Sequence, residues 1–291
     1  MAQERNLRLS AGLSEKGLFD LKIKIEDDFN LERIAESGQC FRWESLDNCT
    51  YRIPFREHCL IIRESGEGYY DFSCGKAEYE EVWRAYLDLD EKYGEIRAKI
   101  SSEEDPFLYE ACEYGKGIRI LRQDPFETLI SFIISQNKNI PAIRKSIEML
   151  CQATGKKATD PLGKEYYLFP TAEEILSLED SVLTDCKLGY RVAYVKAAAR
   201  DIADGRIVLE NLMEEGEEKT MEALTSIHGV GKKVASCMSL FGLHHIDAFP
   251  IDVWIKRILS EQYPKGYPME RYRPYNGIYQ QYMFYYYRET H

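Results

Sequence analysis

Short apolar runs separated by turn residues dominate the first quarter of the chain. Between about residue 18 and residue 75 this pattern is typical of β-strands, whose side chains alternate between two faces. The predicted strands are Thr50–Phe55, Cys59–Arg63 and Tyr69–Phe72, and the predicted turns between them are Arg56-Glu57 and Ser65-Gly66. The pattern therefore predicts a small antiparallel sheet.

Helical signals precede and follow this sheet. Asn30 is predicted to be the N-cap of a short helix that turns Leu31 and Ile34 inward. From residue 76 onward, apolar residues recur three and four positions apart, which is typical of amphipathic helices. Local signals predict three further helix starts, at Asp124-Pro125-x-Glu127, near Pro141 and at Thr171-x-x-Glu174, and one helix end at Gly205.

The predicted fold class is therefore α+β. A small N-terminal antiparallel β-sheet domain is expected over residues 13–105, followed by a mostly α-helical region over residues 106–291. Residues 1–12 fit neither a strand nor a stable helix, and we expect a leader that is disordered or derived from the expression vector.

The segment from Met221 to Phe241 predicts two helices joined by a glycine turn. An apolar face leads into His228-Gly229-Val230-Gly231, and the second helix begins at Lys232. Glycines permit a tight turn and a close approach to a ligand, and the first amides of a helix have no partner within that helix. This helix-hairpin-helix, expected at about residues 217–242, is a candidate phosphate site, although the pattern is also typical of a simple connection between helices.

The composition is that of an ordinary globular protein. With 291 residues, of which 44% are hydrophobic, the chain can bury a substantial core. No apolar run approaches the ~20 residues that cross a bilayer, and no signal-peptide pattern is present, so we expect an intracellular protein. The eight cysteines include no CxxC pair, which favours reduced, buried thiols over a zinc or iron–sulfur site.

The formal net charge of −11 counts against a nucleic-acid partner. Much of the acid, however, lies in runs typical of solvated surface, such as residues 214–218. Basic residues concentrate elsewhere, at Lys187, Arg191, Lys196, Arg200, Lys232 and Lys233. A local basic face is sufficient for DNA binding, so the charge does not exclude it.

Lys233 is a candidate nucleophile in the first turn of the second hairpin helix. Cys237 and Phe241 follow four and eight residues later on the same face. Desolvation, the positive end of the helix dipole and the neighbouring Lys232 are all expected to favour the neutral amine, which is the nucleophilic form. The alternative is a lysine that contacts phosphate or is merely exposed.

Asp252 precedes an amphipathic segment and is predicted to be the N-cap of its helix. A carboxylate at this position could also stabilise the positive charge that builds on a sugar when a glycosidic bond breaks. A lysine that faces the carboxylate could then capture the sugar carbon C1′.

Several motifs resemble the 8-oxoguanine DNA glycosylase/AP lyase family of the helix-hairpin-helix (HhH-GPD) DNA glycosylase superfamily. The superfamily resemblance rests on Gly229-Val230-Gly231-Lys232-Lys233-Val234 and Phe249-Pro250-Ile251-Asp252-Val253. The closer resemblance rests on Gly38-Gln39-Cys40-Phe41-Arg42-Trp43, Gln123-Asp124-Pro125, Ser135-Gln136-Asn137-Lys138-Asn139 and Leu188-Gly189-Tyr190-Arg191. These motifs extend from residue 38 to the last helix at Phe284, and together they are more specific than any one alone.

The resemblance implies a bifunctional DNA repair enzyme that flips 8-oxoguanine out of duplex DNA and excises it. Lys233 would attack C1′ and form a Schiff base that undergoes β-elimination, with Asp252 as its acidic partner. The implied lesion-binding residues are Gly38, whose carbonyl accepts the N7–H that guanine lacks, together with Cys237, Phe241, Gln280 and Phe284. The implied DNA-binding residues are Asn137, Tyr190, Arg191, Gly229, Val230, Gly231 and Lys232.

The resemblance also implies the cofactor and the partners. No cofactor is required, and a structural monovalent or divalent cation at the hairpin would be held by the backbone carbonyls of Thr225, Ile227 and Val230. The expected partner is double-stranded DNA containing 8-oxoguanine, and the expected state is a monomer without membrane association. The expected location is the cytoplasm and nucleoid of a bacterium, or the nucleus of a eukaryote.

Two other functions stay open from the sequence alone. A monofunctional helix-hairpin-helix glycosylase for another damaged base would use water as its nucleophile, and the presence of Lys233 argues against it. A non-catalytic helix-hairpin-helix scaffold would bind DNA and release no base.

The sequence departs from relatives at two places. No cysteine follows Cys237, which excludes a C-terminal four-cysteine iron–sulfur cluster, and Trp254 stands where relatives often carry histidine.

Overall fold

The computed structural model describes residues 17–291, so the leader predicted at residues 1–12 lies outside the described residues. An N-terminal antiparallel sheet is followed by a mostly helical region, which confirms the predicted α+β fold class.

Five antiparallel strands form the N-terminal sheet in the order β1-β5-β4-β3-β2. They are β1 (Leu21–Lys24), β2 (Glu44–Ser45), β3 (Thr50–Phe55), β4 (His58–Gly66) and β5 (Tyr69–Phe72). The strands predicted at residues 50–55 and 69–72 are confirmed with those bounds. The strand predicted at residues 59–63 is the centre of the longer β4.

The first helix, α1 (Leu31–Glu36), packs on this sheet. The Asn30 side chain accepts a hydrogen bond from the Arg33 amide at 2.9 Å, which confirms the predicted N-cap. Leu31 and Ile34 are buried, as predicted. The helix ends at Glu36 with Ser37 as its C-cap, so it sets the position at which Gly38 enters the site described below.

The rest of the described chain is mostly helical. The helices are α2 (Lys76–Glu78), which continues through a π-helical turn (Tyr79–Trp83) into α3 (Arg84–Tyr86), α4 (Tyr93–Arg97), α5 (Pro106–Tyr114), α6 (Pro125–Ser135), α7 (Ile140–Thr154), α8 (Ala172–Ser177), α9 (Asp180–Asp185), α10 (Arg191–Ala203), α11 (Leu209–Leu212), α12 (Glu217–Ser226), α13 (Lys232–Phe241), α14 (Val253–Gln262), α15 (Met269–Tyr272) and α16 (Asn276–Thr290). A two-stranded hairpin, β6 (Lys157–Thr159) with β7 (Glu165–Tyr167), lies between α7 and α8.

Buried apolar residues form two clusters. The smaller cluster lies beneath the sheet and contains Trp43 and Trp83, which are 4% and 0% exposed. The larger cluster joins the helices, and it includes Tyr93, Ile96 and Ile100 from the segment before residue 106. The boundary that we placed between residues 105 and 106 stays a prediction.

The predicted helix-start signals are present, with one correction. Asp124 caps α6 through a 2.9 Å bond from the Glu127 amide, and Thr171 and Glu174 form both bonds of a capping box at α8. Glu127 was predicted to complete a capping box as well, and this is wrong. Its carboxylate instead forms an ion pair with Arg42 at 3.3 Å.

This ion pair connects the segment that follows Gly38 to the helical region. Arg42 also donates to the carbonyl of Tyr167 at 2.6 Å. Burial raises the pKa of Glu127, and the nearby Arg42 opposes the rise. Separating the two parts of the chain would leave both charges without their partner, which is costly for buried groups. The pair therefore helps to hold the two parts together.

Candidate active site and DNA interface

A tight glycine turn joins α12 to α13. The Val230 amide donates to the carbonyl of Ile227 at 3.0 Å, and Gly229 has φ +88°. A Cβ atom at Gly229 would lie 2.1 Å from Cγ of Tyr194, so only glycine fits this position. The predicted helix-hairpin-helix at about residues 217–242 is therefore confirmed as a structural element.

The start of α13 is open to a ligand. Gly231 is its N-cap, and within the described residues no side chain caps it. The first amides of the helix are thus available, and the helix dipole places partial positive charge at the same end. Lys232 and Lys233 are both exposed there. The hairpin also lines an open groove of about 600 Å³ with Tyr194 and Gln136.

Lys233 lies beside aromatic rings and a buried thiol. Its ammonium nitrogen is 5.3 Å from the centroid of the Phe132 ring, which stacks on Phe241 with centroids 5.6 Å apart. Burial raises the pKa of the Cys237 thiol, Lys233 opposes the rise through charge and a hydrogen bond, and the Asp252 carboxylate adds to it. The charges of Lys233 and Asp252 therefore both act on the same buried thiol.

The sequence argument for Lys233 relied partly on desolvation by the protein. In this structure Lys233 is an exposed residue, so that part of the expectation is wrong. The helix start and the neighbouring Lys232 are present as predicted.

Asp252 is the N-cap of α14, as predicted. Its Oδ1 accepts the Ile255 amide at 2.8 Å, and the residue is half-buried. Oδ1 therefore caps the helix, and the negative charge of the carboxylate can still stabilise a positive charge nearby. Trp254, two residues later, is also half-buried and packs against Tyr287 with ring centroids 6.3 Å apart.

Gly38 and Phe284 meet at one side of the site. Gly38 has φ +81°, and a Cβ atom there would lie 3.3 Å from Cε1 of Phe284. The ring of Phe284 is half-buried, and the Arg288 guanidinium carbon lies 5.4 Å from its centroid. Any side chain at residue 38 would be both strained and crowded against the ring.

Gln280 lies one turn before Phe284 on α16 and is 4% exposed. Its Nε2 donates to the carbonyl of Pro250 at 3.0 Å, whereas its buried Oε1 has no partner among the described residues. Because an unpaired buried acceptor is costly, this oxygen is the kind of group that a ligand donor would satisfy. Cys237 and Phe241 are buried as well.

Asn137 and Tyr190 lie together at the protein surface. Asn137 has φ +53°, and its Nδ2 donates to the Tyr190 hydroxyl at 3.0 Å. Tyr190 is 53% exposed, and Asn137 is exposed as well. The two side chains therefore lie together on the surface, and their contact with DNA stays a prediction.

Arg191 is placed differently from its neighbour Tyr190. The residue is 6% exposed, and its guanidinium donates to the carbonyl of Gln136 at 2.9 Å and to that of Leu188 at 3.2 Å. These bonds secure the loop that carries Asn137. Contact of Arg191 with a DNA base stays a prediction.

Two glutamines near Gly38 had no predicted role, although Gln123 lies within a quoted motif. Gln123 and Gln281 both bond to carbonyls beside Gly38. No periodicity or local motif in the sequence signals these bonds, because their partners are 84 and 244 residues away.

Two further observations concern membranes and metals. Among the described residues, none of the helices is long and apolar enough to span a bilayer. Over the same part of the chain, no group of three or more His, Cys, Asp or Glu residues is arranged to hold a metal ion.

Comparison with known proteins places this geometry among DNA repair proteins. The 8-oxoguanine DNA glycosylase N-terminal domain model matches residues 21–129, and the HhH-GPD superfamily base excision DNA repair protein model matches residues 130–265. The N-glycosylase/DNA lyase of Saccharomyces cerevisiae is 33% identical over 257 residues, which cover 80% of this chain and 68% of the yeast protein.

Solved structures agree with these matches. A structure of MBOgg1 in complex with a low-affinity DNA ligand has a TM-score of 0.87 and 37% identity, covering 96% of this chain and 98% of that chain. The Clostridium acetobutylicum 8-oxoguanine glycosylase/lyase, in complex with double-stranded DNA containing cytosine opposite 8-oxoG, has a TM-score of 0.84 and 35% identity. That match covers 94% of this chain and 99% of the clostridial chain.

Proposed function

Because the chain belongs to the N-glycosylase/DNA lyase family of helix-hairpin-helix base excision DNA repair proteins, we propose that Lys233 and Asp252 carry its chemistry. The protein is a bifunctional enzyme that releases 8-oxoguanine from duplex DNA and then cleaves the strand at the abasic site. The observation that supports these two residues is that Lys233, at the open start of α13, and Asp252, at the start of α14, have opposite effects on the pKa of the same buried thiol, Cys237.

In the proposed mechanism, the neutral amine of Lys233 attacks C1′ of the flipped nucleotide. The bond from C1′ to the base breaks, and the base leaves with the electron pair and takes up a proton. Opening of the sugar and loss of a proton from the lysine nitrogen give the Schiff base. Removal of a proton from C2′ then expels the 3′ phosphate and breaks the strand.

Asp252 has an electrostatic role in this scheme. Positive charge builds on the sugar as the glycosidic bond breaks, and a fixed carboxylate stabilises it. The N-cap bond to Ile255 holds the carboxylate in place, so it needs no reorganisation during the reaction.

The lesion base lies between Phe284 and Cys237 in the proposed complex, with Phe241 behind the thiol. The carbonyl of Gly38 accepts the N7–H of 8-oxoguanine, a hydrogen that guanine lacks. The unpartnered Oε1 of Gln280 accepts from the pairing edge of the base. The Gln280 Oε1 and the Gly38 carbonyl have no hydrogen-bond partner among the described residues, which supports their assignment.

The remaining contacts are with the DNA around the lesion. The amides of Gly229, Val230 and Gly231, together with Lys232, grip the phosphate backbone, while Asn137 and Tyr190 fill the gap left by the flipped base. Arg191 turns out from the loop to contact the orphaned base.

A cation at the hairpin is part of this proposal. The carbonyl of Ile227 accepts one hydrogen bond and retains a second lone pair, and Thr225 and Val230 line the same groove. The backbone carbonyls of Thr225, Ile227 and Val230 would hold the cation, which would supply positive charge for binding the DNA backbone. The chemistry itself uses only protein groups and requires no cofactor. We further propose that the enzyme acts as a monomer on chromosomal DNA, in the bacterial cytoplasm or the eukaryotic nucleus, without membrane association.

Borohydride trapping tests the proposed function. The native enzyme is mixed with duplexes that contain 8-oxoguanine or guanine at one position, and base release and the covalent adduct are both measured. We expect release and trapping with the lesion alone. Release without trapping would indicate a monofunctional enzyme that uses water, and binding without release would indicate a scaffold.

A further inference from the structure

Two glutamine amides hold the peptide groups on either side of Gly38. The Nε2 atom of Gln281 donates to the carbonyl of Ser37, and the Nε2 atom of Gln123 donates to the carbonyl of Gln39 at 2.9 Å. Within residues 17–291, no donor reaches the Gly38 carbonyl between them. The flanking acceptors are fixed while the middle one is left open.

This arrangement restrains the residue that rotates most freely. Gly38 adopts φ +81°, and glycine populates several backbone regions at similar cost. Because peptide groups are planar, the torsions of Gly38 and Gln39 alone set the direction of the Gly38 carbonyl. Fixing the Ser37 and Gln39 carbonyls therefore fixes the two Cα atoms at the ends of the middle peptide, and rotation about the line that joins them is the freedom that the Gly38 carbonyl keeps. Both of these residues are 1% exposed, so water does not compete for their carbonyls.

The two glutamines come from opposite sides of the site. Gln281 directly follows Gln280 on α16 and is 2% exposed. Gln123 precedes α6, and its Nε2 also lies 3.4 Å from the carbonyl of Phe241, the last residue of α13. Bonds at Gly38 thus connect the helix that carries Gln280 and Phe284 to the helix that carries Lys233.

Arg288 makes a third hydrogen bond to this segment, at Glu36, one residue before Ser37. Its Nη2 donates to the carbonyl of Glu36 at 2.6 Å, and its guanidinium lies over the ring of Phe284. Arg288 on α16 therefore contacts both the segment before Gly38 and the ring of Phe284, and it helps to fix their relative position.

We propose that Gln281 and Gln123 are positioning residues for lesion recognition, which hold the Gly38 peptide where its carbonyl can accept the N7–H of 8-oxoguanine. The inference rests on the proposed role of that carbonyl. Neither glutamine touches the reacting atoms, so each acts through Gly38. Loss of either amide should weaken recognition of the base and leave the lysine chemistry intact.

The test compares two activities of the same protein. Gln281→Met and Gln123→Met keep side-chain length and remove the donor. Single-turnover release of 8-oxoguanine should fall about three- to tenfold in each variant, as expected for the loss of one hydrogen bond. Strand cleavage at a preformed abasic site uses Lys233 without a base, so it should stay at the native rate. Gln152→Met, at an exposed glutamine bonded to Glu148, is the matched control and should change neither activity.

The outcomes separate the alternatives. Native-rate release of 8-oxoguanine by both variants overturns the proposal. An equal fall of base release and abasic cleavage in both variants also overturns it, because it marks a general structural defect. If the buried Gln281→Met variant does not fold, the half-buried Gln123→Met variant decides. A native enzyme that does not prefer 8-oxoguanine over guanine contradicts the proposed function itself, independently of the glutamines.

Discussion

The two helices that frame the proposed active site begin in opposite ways. Asp252 closes the start of α14 by accepting the Ile255 amide, whereas α13 begins after Gly231 with no side-chain cap in the described structure. A helix start without a cap loses about 1 kcal/mol of stability relative to one with Ser, Thr, Asp or Asn, unless the residue is glycine, for which the loss is a few tenths.

The difference separates two ways of using a helix terminus. At α13 the amides stay free, so an external anion such as a DNA phosphate can occupy the position that a cap would take. At α14 the cap is internal, and it holds a carboxylate whose charge acts on the same thiol as that of Lys233. The start of α13 therefore gains its hydrogen-bond partner only when a ligand binds, whereas the start of α14 already has one and holds a carboxylate in place.

Lys233→Gln gives the largest expected effect, because it removes the nucleophile from the open helix start. We expect borohydride trapping and strand cleavage to be abolished, while binding to lesion DNA stays close to native. The neighbouring Lys232→Gln is the control: it should weaken binding and retain trapping. If Lys233→Gln still forms the adduct at the native level, a different residue is the nucleophile.

Asp252→Asn tests whether the capped terminus does more than cap. Asparagine is as good an N-cap as aspartate, so thermal stability should change little. Excision should nevertheless slow by roughly a hundredfold or more, because the carboxylate charge is lost. Asp252→Ala should show the same loss of rate and also lose about 1 kcal/mol of stability. Native-rate excision by Asp252→Asn would leave the residue with a structural role alone.

Gly229→Ala has the smallest expected effect on the chemical steps, and it distinguishes the two glycines of the hairpin. The new methyl group would clash with Tyr194 at a backbone φ of +88°, so we expect a loss of about 1–3 kcal/mol in the free energy of unfolding, with weaker DNA binding. Gly231→Ser is the matched change at a position with open space around its Cβ. It should gain a few tenths of a kcal/mol by capping α13. Equal denaturation midpoints for the two variants would contradict this distinction.

The features that the sequence predicted well are those decided by nearby residues. The caps at Asn30, Asp124 and Asp252 and the capping box at Thr171 depend on contacts three residues apart, so the local pattern is sufficient. The resemblance then supplied candidates for the site that no local pattern could provide.

The features that the sequence missed depend on distant partners. Glu127 satisfies the local rule for a capping box, yet the buried Arg42 is a stronger partner, and nothing near Glu127 in the sequence announces it. The exposure of Lys233 and the burial of Arg191 follow from how separate helices pack, which a helical period does not determine. The glutamines beside Gly38 were missed for the same reason.

The positions of the three tryptophans have a spectroscopic consequence. Trp43 and Trp83 are buried in the core beneath the sheet, whereas Trp254 is half-buried two residues after Asp252. The intrinsic fluorescence of the protein therefore has two buried emitters and one half-buried emitter near the proposed active site. We expect a change in emission on DNA binding to come mainly from Trp254, so the enzyme would carry its own optical reporter of binding without a dye on either molecule.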